Sequence, residues 1–218
     1  MIGLRRLGEL LIVGWVCIVA AGLIVEVLRF GSVGDFALAQ SFSLSLEANV
    51  PTWYSSVLLF CCGLALLAVA ADEEPGERWL WHWRGLAAAF FAISMDEVAG
   101  FHERINATTR FGEQFGGVFY FAWVIPFGAL VVVIGVLCLP FLAALPPSTR
   151  WRFLRAGGLY VGGALGIELV LGAWTATHGP MNLTYRLIDA VEESAEIAGA
   201  SVFLWALQAH RLRDRSRT

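Results

Sequence analysis

Eight acidic and histidine side chains fall inside stretches of this sequence that read as membrane-crossing. Asp96, Glu97, His102 and Glu103 lie on one such stretch, Glu168 on a second, and Glu192, Glu193 and Glu196 on a third. An ionised carboxylate in hydrocarbon is costly, so such residues are rare and face a partner, a cavity or a bound cation. Asp189, Glu192, Glu193 and Glu196 follow the spacing i, i+3, i+4, i+7, which makes one acidic stripe on a helix. Like charges so aligned repel unless something positive compensates. A metal ion, bound protons or arginine side chains would each do so.

A metal is the sharpest of these readings. Carboxylates and histidine from several helices of a bundle are the ligand set of di-iron and di-manganese proteins. Asp96, His102, Glu103, Glu168, Glu193 and Glu196 are the expected ligands, with Glu97 and Glu192 as acid/base groups. A set this rich in oxygen suits a divalent iron or manganese ion, with zinc as the alternative. The spacing departs from the ferritin-like E-x-x-H pattern. His102 follows Glu97 by five residues, about 140° round a helix. A kink at Gly100 would be needed to bring the two together. The bland alternative is a buried ion network, with Arg104, Arg110 and Arg186 neutralising some of the acids.

These residues must be positioned by helices. The chain has 218 residues, 58% hydrophobic and only 15% charged, well below the charge content of soluble domains. The expected architecture is all-α, a single polytopic bundle over 1–218. Six spans of sufficient length are expected at about 8–29, 53–72, 79–105, 117–144, 153–176 and 187–209. Gly31, Pro75-Gly76, Gly112, Pro146-Pro147 and Gly179-Pro180 punctuate them. All the basic residues are arginine. With the N-terminus inside, arginines concentrate on the cytoplasmic side, so both termini are expected there. A bacterial inner-membrane location follows as the expectation. On that orientation the acids lie within about 13 Å of the outer ends of their helices.

Other features carry blander expectations. Trp53, Tyr54, Trp79, Trp81, Trp83, Trp151 and Tyr160 read as interfacial anchors. Gly157, Gly158, Gly162, Gly163 and Gly166 would let the fifth span approach a neighbour and carry Glu168 towards it. Ser94 reads either as a nucleophile near Asp96 or as a helix serine bonded to backbone. His178 is placed in a loop near the mouth of the cluster, while His82 and His210 lie at the opposite side. The four cysteines have no C-x-x-C spacing and read as apolar packing residues. No phosphate-binding loop, dinucleotide fingerprint or nucleophile elbow is present, and nothing suggests a nucleic-acid partner.

The segments FAISMDEVAGFHERI (91–105), GALGIELVLG (163–172) and VEESAEIAGASVFLWAL (191–207) resemble those of a group of bacterial six-span membrane proteins. The shared pattern is S-x-D-E-x-x-x-x-H-E, then an intramembrane G-x-E, then E-E-x-x-E. That resemblance implies a six-span membrane protein and brings no activity with it. Intramembrane CAAX-type proteases differ, because Glu192-Glu193 lacks their following arginine and later histidines. The membrane zinc hydrolases that include alkaline ceramidases need more intramembrane histidines than this chain has. The expected function is a metal-dependent membrane enzyme acting on a lipid or membrane-soluble substrate. A proton- or cation-coupled transporter and a structural or sensory protein are the alternatives.

Overall fold

The structure is a computed structural model and describes residues 3–31, 40–102, 104–105 and 116–215. Among these residues it is all-α. Six helices follow in order: α1 (Leu4–Gly31), α2 (Val50–Asp72), α3 (Leu80–Ala99), α4 (Val124–Ala144), α5 (Pro147–His178) and α6 (Leu183–Arg215). A single 3-10 turn, Gly117–Phe119, precedes α4. Four helices are long and apolar enough to cross a membrane: α1, α2, α4 and α5. Charge keeps the other two outside that class. Arg84, Asp96 and Glu97 interrupt α3, and the acidic stripe interrupts α6.

Local chemistry sets the helix ends. Asn49 caps α2, its side-chain oxygen accepting from the Thr52 N–H at 3.1 Å, and Pro51 follows in the first turn, where its missing N–H costs nothing. Asn182 does the same for α6, accepting from the Tyr185 N–H at 2.9 Å. Helix α3 stops at Ala99, because Gly100 adopts φ 60°, ψ 43° and its N–H returns to the Asp96 carbonyl. The expected span over 79–105 is therefore broken, for a conformational reason specific to glycine. The fourth span likewise begins as helix only at Val124 rather than 117.

Helix α6 runs through the middle of the bundle, against α1, α2 and α5. The core at one end of the bundle is apolar, with Leu59, Leu66, Trp83, Phe141, Ile197 and Leu207 almost wholly buried. Trp83 meets Phe141 edge-on at 4.7 Å, so it is a core residue and not the interfacial anchor its sequence position suggests. Trp53, Trp81 and Trp151 are exposed on the bundle surface. Ser56 and Ser94 each donate their hydroxyl to the other's carbonyl at 2.8 Å, pinning α2 to α3. That gives Ser94 a packing role in place of a nucleophilic one. Trp15 ties α1 to α6 by donating to the Ser194 carbonyl at 2.9 Å.

At the α5–α6 contact the two backbones come close together. A Cβ added at Gly199 would fall 2.5 Å from the Tyr160 backbone nitrogen, and one at Gly163 would fall 3.0 Å from the Glu192 carbonyl. Of the five expected α5 glycines, Gly163 alone meets the partner helix; Gly157, Gly158, Gly162 and Gly166 have open space beside them. Helix α4 is the opposite case. Val124 and Phe141 are its buried residues, and Val132, Val136 and Leu137 point outward. Gly199→Ala should therefore lower the stability of the detergent-solubilised protein by about 1–3 kcal/mol, the usual cost of overpacking. Gly157→Ala, with nothing to meet, should leave the melting temperature unchanged or slightly raised.

Candidate functional site

At the end of the bundle opposite the apolar core, α3, α5 and α6 surround a cavity of about 740 Å³. Helix α3 delivers Asp96 and Glu97, and the chain just past Gly100 delivers His102. Glu168 comes from α5, and Asp189, Glu192, Glu193 and Glu196 come from the stripe on α6. Seven of the eight residues singled out by spacing thus line one cavity. The eighth, Glu103, lies outside the described residues, as does Arg110.

The reversal at Gly100 creates the first element of the site. His102 turns back so that its Nδ1 lies 2.8 Å from Asp96 Oδ2, while its backbone N–H donates to Asp96 Oδ1 at 3.2 Å. The kink hydrogen-bonds His102 to Asp96 and leaves Glu97 as a charged neighbour of His102. Glu97 is within hydrogen-bonding reach of Ser55 on α2. The His102 ring also packs against Trp123 at 4.9 Å. A carboxylate bonded to one ring nitrogen is the arrangement that orients a metal-ligating imidazole.

The second element follows from a change of helical pitch. The residues Gly162–Ile167 form a π-helical turn inside α5, directly ahead of Glu168. Such turns widen a helix locally and are frequent at functional sites. Glu168 emerges from this turn buried at 8% exposure, and its Oε1 accepts from the Trp123 indole N–H at 3.0 Å. Glu192 lies within hydrogen-bonding reach of Glu168, yet its Oε2 is buried with no partner. Glu193 has Glu97, Glu196 and Asp189 as charged neighbours, and Glu196 is reached by the Tyr160 hydroxyl.

The cavity also contains groups that spacing did not reveal. Glu47 reaches it from the segment between α1 and α2, and Tyr160, Tyr185 and Trp123 line it as well. Tyr160 is therefore a cavity residue, not an interfacial anchor; α6 holds it through the close approach at Gly199. No sequence signal distinguishes Glu47 from an ordinary loop acid. His178 is exposed and stacked on Trp174 at 3.9 Å, away from the cavity lining. His82 and His210 lie in the aromatic core at the other end, against Phe141 and Trp83 respectively.

Among the described residues, no Arg lines the cavity. Arg186 instead pairs with Glu26 at 3.3 Å, and Arg29 approaches the same carboxylate at 3.8 Å. Ser43 also donates to Glu26, which is fully buried outside the cavity. Arg104 lies over the Phe101 ring at 5.9 Å. Among the described residues, no three His, Cys, Asp or Glu side chains are arranged to hold a metal ion as they stand.

On the opposite side, Phe127, Leu130, Val131 and Ile134 of α4 make an apolar wall. The site is amphipathic: acids on α3, α5 and α6 face hydrocarbon on α4. Gly100→Ala should cost about 1–2 kcal/mol, because an L-residue is strained in the left-handed region. It should also loosen the Asp96–His102 contact. Thermal melts beside Gly85→Ala, a substitution into open space within the same helix, should show the loss for position 100 alone.

Residues 5–212 match the family model described as Domain of unknown function (DUF8692), and the chain belongs to that family. No curated protein and no solved structure matches it.

Proposed function

We propose that this member of the DUF8692 family is a metal-dependent membrane enzyme acting on a lipid or other membrane-soluble substrate. In this reading all six helices cross a bacterial inner membrane, both termini are cytoplasmic, and the cavity occupies the outer half of the bilayer. The observation that carries it is the cavity itself. Three helices bring seven acidic side chains and a carboxylate-bound histidine to a single space that α4 closes with hydrocarbon. Carboxylates crowded at membrane depth suit a bound cation, and the apolar wall suits a substrate drawn from lipid.

Within this reading His102 is a ligand oriented by Asp96, and Glu168, Glu193 and Glu196 supply oxygen. The ligands draw together when the ion binds. Glu97 and Glu192 serve as acid/base groups, and Glu103 is a further oxygen donor. The ion, iron or manganese by its oxygen-rich surroundings, would activate water or, if iron, oxygen. A coupled transporter would need a polar route to the other side. The apolar packing of Leu59, Leu66, Ile197 and Leu207 beneath the cavity argues against one.

Elemental mass spectrometry of detergent-purified protein tests the proposal. Near-stoichiometric iron, manganese or zinc is expected in the parent, with most of it lost in His102→Ala and in Glu196→Ala while both retain the parental helix content. Folded parent and variants all lacking metal would rule the metalloenzyme out and leave proton coupling or a structural acid network.

A further inference from the structure

A second lined space lies on the far side of α6. Ala198, Ser201, Val202 and Trp205 follow the spacing i, i+3, i+4, i+7, about half a turn round the helix from the acidic stripe. With the first half of α1 they border a groove of about 480 Å³. Arg5, Leu11, Ile12 and Trp15 belong to its α1 wall, which is about 15 Å long from Arg5 to Trp15. Trp15 is fixed there by its bond to the Ser194 carbonyl. The wall passes from a charged rim to apolar side chains.

At the rim, Trp205 lies between two helices. A Cβ at Gly8 of α1 would fall 3.4 Å from its ring, and the Arg152 guanidinium of α5 lies over that ring at 4.8 Å. Arg152 makes no ion pair among the described residues. Arg5 pairs with Glu9, the one acid among the described lining residues. Once that pair has cancelled, Arg152 leaves the rim positive. Further in, Ser201 is 8% exposed, and its Oγ is buried with no hydrogen-bond partner. It lies one helical turn, about 6 Å, from Trp205. A helix serine can return its hydroxyl to a carbonyl of the preceding turn. An unpaired hydroxyl beside a groove marks a missing partner.

We propose that this groove holds a glycerophospholipid with an anionic headgroup. Its phosphate meets Arg152 and Arg5 at the rim. An acyl ester carbonyl accepts from the Ser201 hydroxyl, and the acyl chain runs along Leu11, Ile12 and Trp15. The spacing selects the class. Phosphate and ester in a glycerophospholipid are a few bonds apart, which matches the one turn between Trp205 and Ser201. A free fatty acid has a single polar end and cannot meet both. Basic side chains between membrane helices suit such headgroups. The lipid fills the seam that α1 leaves against α6, so it strengthens the attachment of α1. This site is separate from the acidic cavity and does not depend on a metal or an enzymatic role there.

Native mass spectrometry of full-length protein, delipidated in a neutral maltoside detergent, tests this with phosphatidylglycerol and phosphatidylcholine of the same acyl chains. Phosphatidylglycerol should be retained as a single saturable adduct, about fivefold more tightly than phosphatidylcholine, the discrimination that one basic side chain supplies. Arg152→Gln should remove that preference, and Arg152→Lys should keep it. Ser201→Ala should weaken both lipids about fivefold, the loss of one hydrogen bond, and leave the preference intact. Arg84→Gln removes an arginine lying over the exposed Trp81 ring of α3 and should bind like the parent. Melting curves identify any variant that fails to fold, and either Arg152→Gln or Ser201→Ala alone suffices. Equal retention of the two lipids by the parent would overturn the proposal. So would an undiminished preference in folded Arg152→Gln, or undiminished binding in folded Ser201→Ala. An equal loss in Arg84→Gln would overturn it in favour of diffuse surface charge. Displacement of bound phosphatidylglycerol by glycerol phosphate, which has no acyl chain, would overturn it in favour of a free-anion site.

Discussion

The backbone of α5 lies almost against α6, and most of the site depends on that contact. Gly199 allows Tyr160 to lie across α6, and Gly163 allows the Glu192–Glu196 stretch to meet α5 without an intervening side chain. Any larger residue at these positions would push the helices apart and pull Tyr160 and Glu168 away from the acidic stripe. The π turn at Gly162–Ile167 contains Gly163 and leads directly into Glu168. Close approach and altered pitch together carry one carboxylate from α5 to a wall otherwise built by α6 and α3.

The protein treats its buried acids in two ways. Glu26 is fully buried and surrounded by Ser43, Arg29 and Arg186, which satisfies it internally and ties α1 to α6. Removing a partner from such a network leaves an uncompensated charge, so it is a structural fastening. Among the described residues, no arginine lines the cavity of the other acids. Their neighbours are other acids, hydroxyls, indoles and one histidine already bonded to Asp96. Acids gathered in this way break a rule of local stability, and such departures concentrate at functional or strained sites.

The helical architecture was legible because hydrophobic runs and breakers are strong signals. The four apolar helices fall close to their expected places. The convergence of the acids was legible because helical spacing sets facing. The stripe on α6 needed only its i, i+3, i+4, i+7 pattern. What escaped depends on backbone conformation or tertiary choice. Gly100 fits either inside a helix or at its end, and its left-handed conformation decides which side chain His102 meets. Tyr160 and Trp83 share composition and position with genuine surface anchors such as Trp81. Glu47 lies in a polar segment, where an acid is ordinarily solvated. The contact glycine of α6, Gly199, stands alone, whereas the conspicuous glycines of α5 mostly face open space.

The central claim is that acids from different helices form one electrostatic site. A double-mutant cycle of Glu168→Gln and Glu192→Gln on thermal stability in detergent tests it directly, since these two residues belong to α5 and α6. Each single change should relieve repulsion, and the double variant should gain less than the two effects added. The expected shortfall is about 0.5 kcal/mol or more, the range found for residues in contact. Strict additivity in folded variants would mean that the two carboxylates do not share a site, and the account of a common cavity would fail.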